Sequence, residues 1–109
     1  MRHTTLDIVV LPQCEAELKD FPKEVLGDLL DCIAKMRLGL PLTMPLSRVM
    51  PSLGKSIHEL RLKDRSGQFR VIYYIKVGDS IYLVHAFKKK TQQTENKDIK
   101  VALQRIKRL

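Results

Sequence analysis

Residues 57–88 read IHELRLKDRSGQFRVIYYIKVGDSIYLVHAFK, and this stretch decides the fold. Polar and apolar residues alternate over 57–63, and residues 68–76 and 80–88 are rich in β-branched and aromatic side chains, as is typical of β-strands. Asp64–Gly67 and Gly78–Asp79 read as turns, so the three strands are expected to be antiparallel neighbours. The first strand has two distinct faces, with His58, Leu60 and Leu62 on one and Glu59, Arg61 and Lys63 on the other.

The sequence before this meander predicts one strand and two helices. Residues 4–11 (TTLDIVVL) are rich in β-branched residues and predict a short strand. Residues 13–38 carry apolar side chains at helical spacing and are broken at Pro22, which predicts a helical hairpin ending at a Gly39 cap. Residues 39–56 contain three prolines and are interpreted as an ordered connecting loop.

The sequence after the meander predicts a polar crossing over 89–96 and a last helix capped by Asn96. The element order is therefore β, α, α, β, β, β, α. This order indicates a single α+β domain over 1–109, in which a helical layer packs on an antiparallel sheet. The other sheet face can stay hydrated, and charged strand residues are expected to point there.

Composition excludes several classes of protein. A chain of 109 residues with 44% hydrophobic content allows one packed core, and no apolar run approaches the roughly 20 residues that span a bilayer. The default expectation is a cytoplasmic protein. Cys14 and Cys32 are interpreted as reduced, semi-buried thiols, because a zinc site needs more ligands at tighter spacing. No pattern predicts a metal or a cofactor.

Charge is distributed unevenly along the chain. Residues 1–54 carry six Lys/Arg against seven Asp/Glu, whereas residues 55–109 carry fourteen Lys/Arg against five Asp/Glu, a net of +9. A basic half on a nearly neutral scaffold is typical of a surface that binds a polyanion such as RNA. The alternative is a basic protein whose charge serves only solubility.

Two arginines are the first candidates for chemistry. Arg61 and Arg70 lie on either side of the turn at 65–66, so they are expected to pair across the hairpin on the same or nearly the same face. Two adjacent arginines repel each other, and an anion that bridges them removes this penalty. The competing interpretation is an exposed ion pair of either arginine with Glu59, which contributes little energetically.

The third strand ends in three lysines, Lys88–Lys90, which are suited to phosphate or to guarding a sheet edge against aggregation. Tyr73, Tyr74 and Tyr82 lie among these cations, and parity alone does not decide which of Tyr73 and Tyr74 faces the core. His85 is a candidate acid or base. The alternative for His85 is a core histidine on an apolar strand face with Leu83 and Phe87.

The run from Ile57 to Thr94 followed by a helix resembles the phage-derived, HigB-like toxins of the RelE/ParE superfamily. Their pattern reads roughly ELR, a turn, YRV-x-Y, a turn, LLHGF-x-KKT-x-KTP and a helix. The matching elements are Glu59-Leu60-Arg61, Arg70, His85-Ala86-Phe87, Lys89 and Lys90. Ala86 stands where glycine is usual, and Glu95 where proline is common.

The resemblance implies a RelE-like fold and a ribosome-dependent mRNA endonuclease that works without a metal. It also implies a cognate helix-turn-helix antitoxin of the HigA type as partner, besides the ribosome and mRNA, and no membrane partner. The predicted catalytic residues are Arg61, Arg70, Lys89, Lys90 and His85. The predicted RNA-binding or ribosome-binding residues are Lys55, Lys63, Arg65, Lys88 and Tyr74.

Two other functions stay open on the sequence. One is a ParE-like toxin that poisons DNA gyrase, which would cause DNA damage without mRNA cleavage. The other is a non-catalytic, phage-derived module that binds nucleic acid or protein, which would not arrest growth when expressed alone.

Overall fold

A computed structural model describes residues 6–40, 42, 46–50, 53–54, 56–76, 80–89 and 96–109. In chain order its elements are β1 (Asp7–Val10), α1 (Pro12–Leu18), α2 (Lys23–Arg37), β2 (Ser47–Val49), β3 (Ile57–Asp64), β4 (Gly67–Ile75), β5 (Ser80–Lys89) and α3 (Asn96–Lys107). The strands form one mixed sheet in the order β1-β5-β4-β3-β2, in which β1 is parallel to β5 and the other pairs are antiparallel. The predicted α+β class is confirmed.

The predicted helical hairpin is confirmed, and prolines set its boundaries. Pro12 is the first residue of α1 and follows the extended Leu11, whereas Pro22 is itself the extended residue before α2. On α2 the buried residues recur about once per turn and form the apolar stripe: Val25, Leu29, Cys32 and Met36. The helix ends where Gly39 adopts a φ of +75°, a conformation that favours glycine.

The β3–β4 hairpin is fixed by its turn. The Ser66 backbone N–H and hydroxyl both donate to Asp64 Oδ1, at 2.8 and 2.7 Å. Gly67 has a φ of +145°, a conformation that favours glycine, whereas the nearest atom to a Cβ there would be Cε of the flexible Lys88 side chain at 3.0 Å. The turn therefore determines which residues face each other along the hairpin.

Strand β2 was not predicted and lies within the predicted loop 39–56. Ser47–Val49 pairs with residues 58–60 of β3 and extends the sheet at that edge. The predicted three-stranded meander is thus the centre of a five-stranded sheet. Three residues are too few to show an alternating pattern, and the surrounding prolines in the sequence favour a loop.

Helices pack on both faces of the sheet, so the expectation of one helical layer is wrong. The first face contributes Leu60, Val71 and Leu83 to the core beneath α1 and α2. The second face contributes Ile57, Ile72 and Val84 to a smaller cluster that is closed by Ala102 of α3. The charged residues that β3 and β4 place on this face begin at Glu59, opposite Ile72, and continue towards the β3–β4 turn.

A β-bulge at Val84 alters the alternation along β5. Ile72 pairs with His85 while Tyr73 pairs with Leu83, which leaves Val84 as the extra residue. As a result Leu83 packs in the first cluster and Phe87 against the second. The predicted shared face is therefore wrong for Leu83, whereas His85 and Phe87 do share a face and their rings stack, with centres 5.1 Å apart.

The two cysteines are free and buried, at 0% and 4% exposure. Burial, with the nearby Glu17 carboxylate, raises the pKa of the Cys14 thiol to about 12, and burial also raises the pKa of Cys32. Both thiols are thus kept protonated and unreactive. Among the described helices, none combines the length and apolar character that a membrane-crossing helix requires.

Candidate functional site

Arg61 and Arg70 lie directly opposite each other in the β3–β4 register, on the second face of the sheet. The predicted cross-strand pair is confirmed. The Arg70 residue is 5% exposed, and the Arg61 side chain is 25% exposed. A pair of cations has therefore been largely withdrawn from water, which is costly unless a counter-charge is present.

One carboxylate serves both arginines. Glu59 Oε1 lies 3.7 Å from Arg61 Nε and 3.5 Å from Arg70 Nε. Neither Nε atom has a hydrogen-bond partner within the described part of the chain. The outer nitrogens of Arg70 donate to Gln68 Oε1 at 2.9 Å and to the Phe69 carbonyl at 3.2 Å. We call Arg61 and Arg70 the arginine pair, and we call Glu59 its carboxylate.

The electrostatics follow from this crowding. Burial lowers the pKa of Arg70, and repulsion from Arg61 adds to the effect, while Glu59 opposes it. Arginine stays charged even so. A bridging anion would relieve the repulsion and supply acceptors to both guanidinium groups.

Strand alternation separates the lysines at the end of β5. Lys89 is the cross-strand partner of Gln68 and shares the face of the arginine pair. Lys88 pairs with Phe69 and its ammonium lies 5.7 Å from the centre of that ring, on the opposite face. Lys90 lies outside the described residues. The structure thus brings Lys89 to the arginine pair and takes Lys88 away from it.

Lys89 has the electrostatic surroundings of a candidate proton-transfer group. Its pKa is lowered by burial and then by repulsion from Arg70, Arg61 and Arg48, with Glu59 acting in the opposite direction. A lowered pKa makes a neutral amine more accessible near neutral pH.

Arg48 is the residue of this surface that the sequence did not reveal. It lies on β2 opposite Glu59, on the face of the arginine pair, and is exposed. Its position depends on a strand that has no sequence pattern of its own. The only local signal is the β-branched Val49 beside it.

The structure decides which tyrosine faces the core. Tyr73 is 3% exposed, its hydroxyl is hydrogen-bonded to Ser47 Oγ at 2.7 Å, and its ring stacks on His58. Tyr74 lies on the second face beside Tyr82, with ring centres 6.4 Å apart, and packs against the cluster below α3. Tyr74 therefore shares the face of the arginine pair but lies towards its α3 end.

The remaining predicted binding residues are dispersed. Lys63 is exposed near the end of β3, on the face of Arg61, and Arg65 is exposed in the turn. Lys55 lies outside the described residues. Lys63 thus extends the basic face, whereas Arg65 is at the tip of the hairpin.

His85 belongs to a separate network that ties α1, β5 and α3 together. Its Nδ1 lies 2.9 Å from Glu17 Oε2 and its Nε2 lies 2.8 Å from Asp98 Oδ1. Arg105 donates to Glu17 Oε1 at 2.8 Å and to the Val84 carbonyl at 2.9 Å, and the Ala86 N–H also donates to Glu17. We call Glu17, His85, Asp98 and Arg105 the α3 anchor. Both ring nitrogens of His85 are occupied there.

In the described part of the chain, no three His, Cys, Asp or Glu side chains converge as a metal site. The chemistry that the second face does offer is a cluster of fixed cations around one carboxylate. Such a cluster can bind a phosphate and stabilise negative charge that develops on it.

The comparisons with known proteins concern the fold and the family of this chain. The fold is similar to a solved structure of the E. coli toxin RelE, an arginine double mutant in the free state, with a TM-score of 0.68 and 13% identity over 94% of this chain and 99% of that chain. The predicted RelE-like fold is confirmed. A family model described as phage-derived protein Gp49-like matches residues 16–107.

The chain therefore belongs to the phage-derived Gp49-like family. This confirms the phage-derived part of the predicted resemblance, while the HigB-like subtype stays a prediction. No curated protein matches the sequence.

Proposed function

We propose that the protein is the toxin of a type II toxin–antitoxin module and cleaves mRNA on the ribosome as an endoribonuclease that needs no metal. The observation that carries this proposal is the arginine pair that shares one buried carboxylate, with Lys89 on the same face. The Gp49-like family and the likeness to the toxin RelE support it.

The proposed reaction is an in-line attack of a ribose 2′-oxygen on its own 3′-phosphate. The new 2′-O–P bond forms as the P–O5′ bond breaks, which leaves a 2′,3′-cyclic phosphate and a 5′-hydroxyl. Charge gathers on the phosphoryl oxygens, and Arg61 and Arg70 are placed side by side to stabilise it. Glu59 acts as a positioning residue, because its contacts to both Nε atoms orient the guanidinium groups.

Lys89, with its lowered pKa, is the candidate for proton transfer. It would accept the 2′-hydroxyl proton or donate one to the leaving 5′-oxygen, and Lys90 would share this role or hold the neighbouring phosphate. The ribosome would supply much of the RNA's orientation. We assign His85 to holding α3 and β5 in place, since both of its nitrogens already contact carboxylates.

The proposed partner is a helix-turn-helix antitoxin of the HigA type, and the proposed location is the cytoplasm, where ribosomes and mRNA are found. The basic second face, with Arg48, Arg61 and Lys63, suits an acidic antitoxin segment that competes with RNA for the same cations. Inhibition would then follow from occupation of the site itself.

The test is to induce the native chain, Arg61→Ala and Arg70→Ala without antitoxin, and to follow growth and mRNA cleavage in translating extracts. The native chain should arrest growth, and each variant should lose cleavage by about 10²–10³-fold, the usual cost of removing one donor to a developing charge. Lys19→Ala, which removes an exposed cation just after α1 and away from the second face, is the control and should stay toxic.

Full toxicity of both Arg61→Ala and Arg70→Ala would overturn the site assignment. DNA damage on induction without mRNA cleavage would instead identify a gyrase poison. Absence of growth arrest by the native chain would favour a binding module.

A further inference from the structure

We propose that a cleft between α2 and the β3–β4 hairpin binds one nucleotide and selects a base that carries an exocyclic amino group. This inference deepens the proposed function, because it assigns the base next to the phosphate held by the arginine pair. The cleft has a volume of about 570 Å³ and is lined by both arginines.

The cleft exists because β2 is short. Its three residues pair with β3 only as far as Leu60, and one further hydrogen bond joins Arg61 N–H to the Leu46 carbonyl at 2.8 Å. Beyond Arg61 the outer edge of β3 has no strand beside it within the described residues. The opening at this edge connects the second face of the sheet with α2, which packs on the first face.

The two walls of the cleft carry opposite charge. The hairpin wall contributes Arg61, Lys63 and Arg70. The α2 wall contributes Asp28, Asp31 and Lys35, a net charge of −1, and its two aspartates are three residues apart and therefore adjacent on the helix surface. A site for phosphate alone would gain nothing from these aspartates, because they repel an anion. A ligand with an anionic end and a hydrogen-donating end fits both walls.

The floor of the cleft, between the two charged walls, is largely apolar. Cys32 and Leu62, each 4% exposed, line it together with Leu46. The raised pKa of Cys32 keeps this thiol neutral, so the floor carries no charge. A flat base can lie on such a surface, with its phosphate at the arginine wall and its polar edge towards the aspartates.

The carboxylates of the α2 wall discriminate between bases by the hydrogen-bonding groups that each base presents. A carboxylate accepts hydrogen bonds from the N4 amino group of cytosine. Uracil has nearly the same size but presents a carbonyl oxygen at that position, which a carboxylate repels. Guanine and adenine also carry amino groups, so uracil is the base that the cleft rejects.

The test is calorimetric or NMR titration of the free protein with cytidine 5′-monophosphate and uridine 5′-monophosphate at low salt. The native chain should bind the cytidine nucleotide about tenfold more tightly, which corresponds to one good amino–carboxylate contact. In the double variant Asp28→Ala/Asp31→Ala this ratio should fall to about one, although both nucleotides can bind more tightly once the acids are gone. Glu24→Ala removes an exposed acid of α2 that does not line the cleft and should leave the ratio unchanged.

Equal binding of the two nucleotides to the native chain would overturn the proposal, as would an unchanged ratio in the double variant. The outcome is independent of RNA cleavage. If the native chain cleaves no mRNA while the ratio behaves as expected, the proposed endonuclease fails but the nucleotide cleft stands. If cleavage depends on the arginines and the ratio is one, only the cleft fails.

Discussion

The arginine pair and the α3 anchor use the same kinds of groups in opposite proportions. In the anchor, two carboxylates surround one arginine and one histidine, at distances of 2.8–3.1 Å that are short enough for hydrogen bonds. At the arginine pair, one carboxylate faces two arginines at 3.5 and 3.7 Å, and both Nε atoms lack a hydrogen bond within the described residues. The anchor is satisfied internally, whereas the pair retains capacity for an external anion. A balanced cluster stabilises a fold, and an unbalanced one indicates a binding site.

The largest change expected in stability comes from breaking the anchor. His85→Ala removes the group between Glu17 and Asp98 and leaves Asp98, 8% exposed, without its imidazole partner. We expect the free energy of unfolding to fall by about 3 kcal/mol, the usual cost of breaking a buried pair. Urea unfolding followed by circular dichroism measures it.

His58→Ala is the matched control, because His58 is half-buried and stacks on Tyr73 at 5.0 Å without joining the anchor. It should cost clearly less than His85→Ala. Equal losses for the two variants would mean that the anchor does not hold α3.

The next largest effect is on the rate of mRNA cleavage, and it should differ between two neighbouring lysines that lie on opposite faces of the sheet. Lys89→Ala should slow mRNA cleavage by about tenfold or more, since a charged hydrogen bond to phosphate contributes about 1.5–3 kcal/mol. Lys88→Ala removes the same charge from the opposite face and should change the rate much less. Rates in translating extracts at fixed salt decide this. Equal effects of the two variants would show that only net charge matters.

A smaller change in protein stability, of the opposite sign, is expected when the arginine pair is broken. Arg61→Leu removes the like charge beside Arg70 and leaves the Glu59 carboxylate as a counter-ion close to Arg70. Replacing a poorly satisfied, partly buried charge with an apolar side chain is often neutral or stabilising, and we expect a gain of about 1 kcal/mol. The same variant should lose cleavage. A large loss of stability would mean that the pair is structural after all.

The sequence was sufficient to predict that Arg61 and Arg70 meet, but not to predict the contacts of the α3 anchor. The reason is the separation of the residues along the chain. Arg61 and Arg70 belong to one hairpin, whose turn and alternation fix the register locally. In the anchor, His85 meets Glu17 across 68 residues and Asp98 across 13 residues, so only the packing of α1 and α3 on the sheet brings them together.

The two other features that the sequence did not predict also depend on tertiary structure. β2 needs the edge of β3 as a template, because three residues between prolines form no strand alone. The bulge at Val84 has no glycine or proline to mark it, yet it places Leu83 on the face opposite to His85 and Phe87. Without β2, Arg48 could not be assigned to the basic face. Without the bulge, the surroundings of His85 could not be predicted.

The smallest effect expected is the acid sensitivity of the anchor. Burial alone would raise the pKa of Glu17, but hydrogen bonds from Arg105 and the Ala86 N–H, together with His85, outweigh it and hold the pKa below its usual 4.5. Because the pKa is lower in the folded state than in the unfolded one, the contribution of Glu17 is complete above pH 4.5 and is lost as the pH falls through the folded-state pKa.

Unfolding free energies of the native chain and Glu17→Gln, measured from about pH 6 down to pH 3, isolate this contribution. The native chain should lose stability more steeply than the variant. Glu15→Gln, an exposed acid on the same helix, should keep the native slope, and so should Arg61→Leu, in which the anchor is intact. If Arg61→Leu flattened the slope and Glu17→Gln did not, acid sensitivity would arise at the arginine pair, and the contrast between a satisfied and an unsatisfied cluster would be reversed.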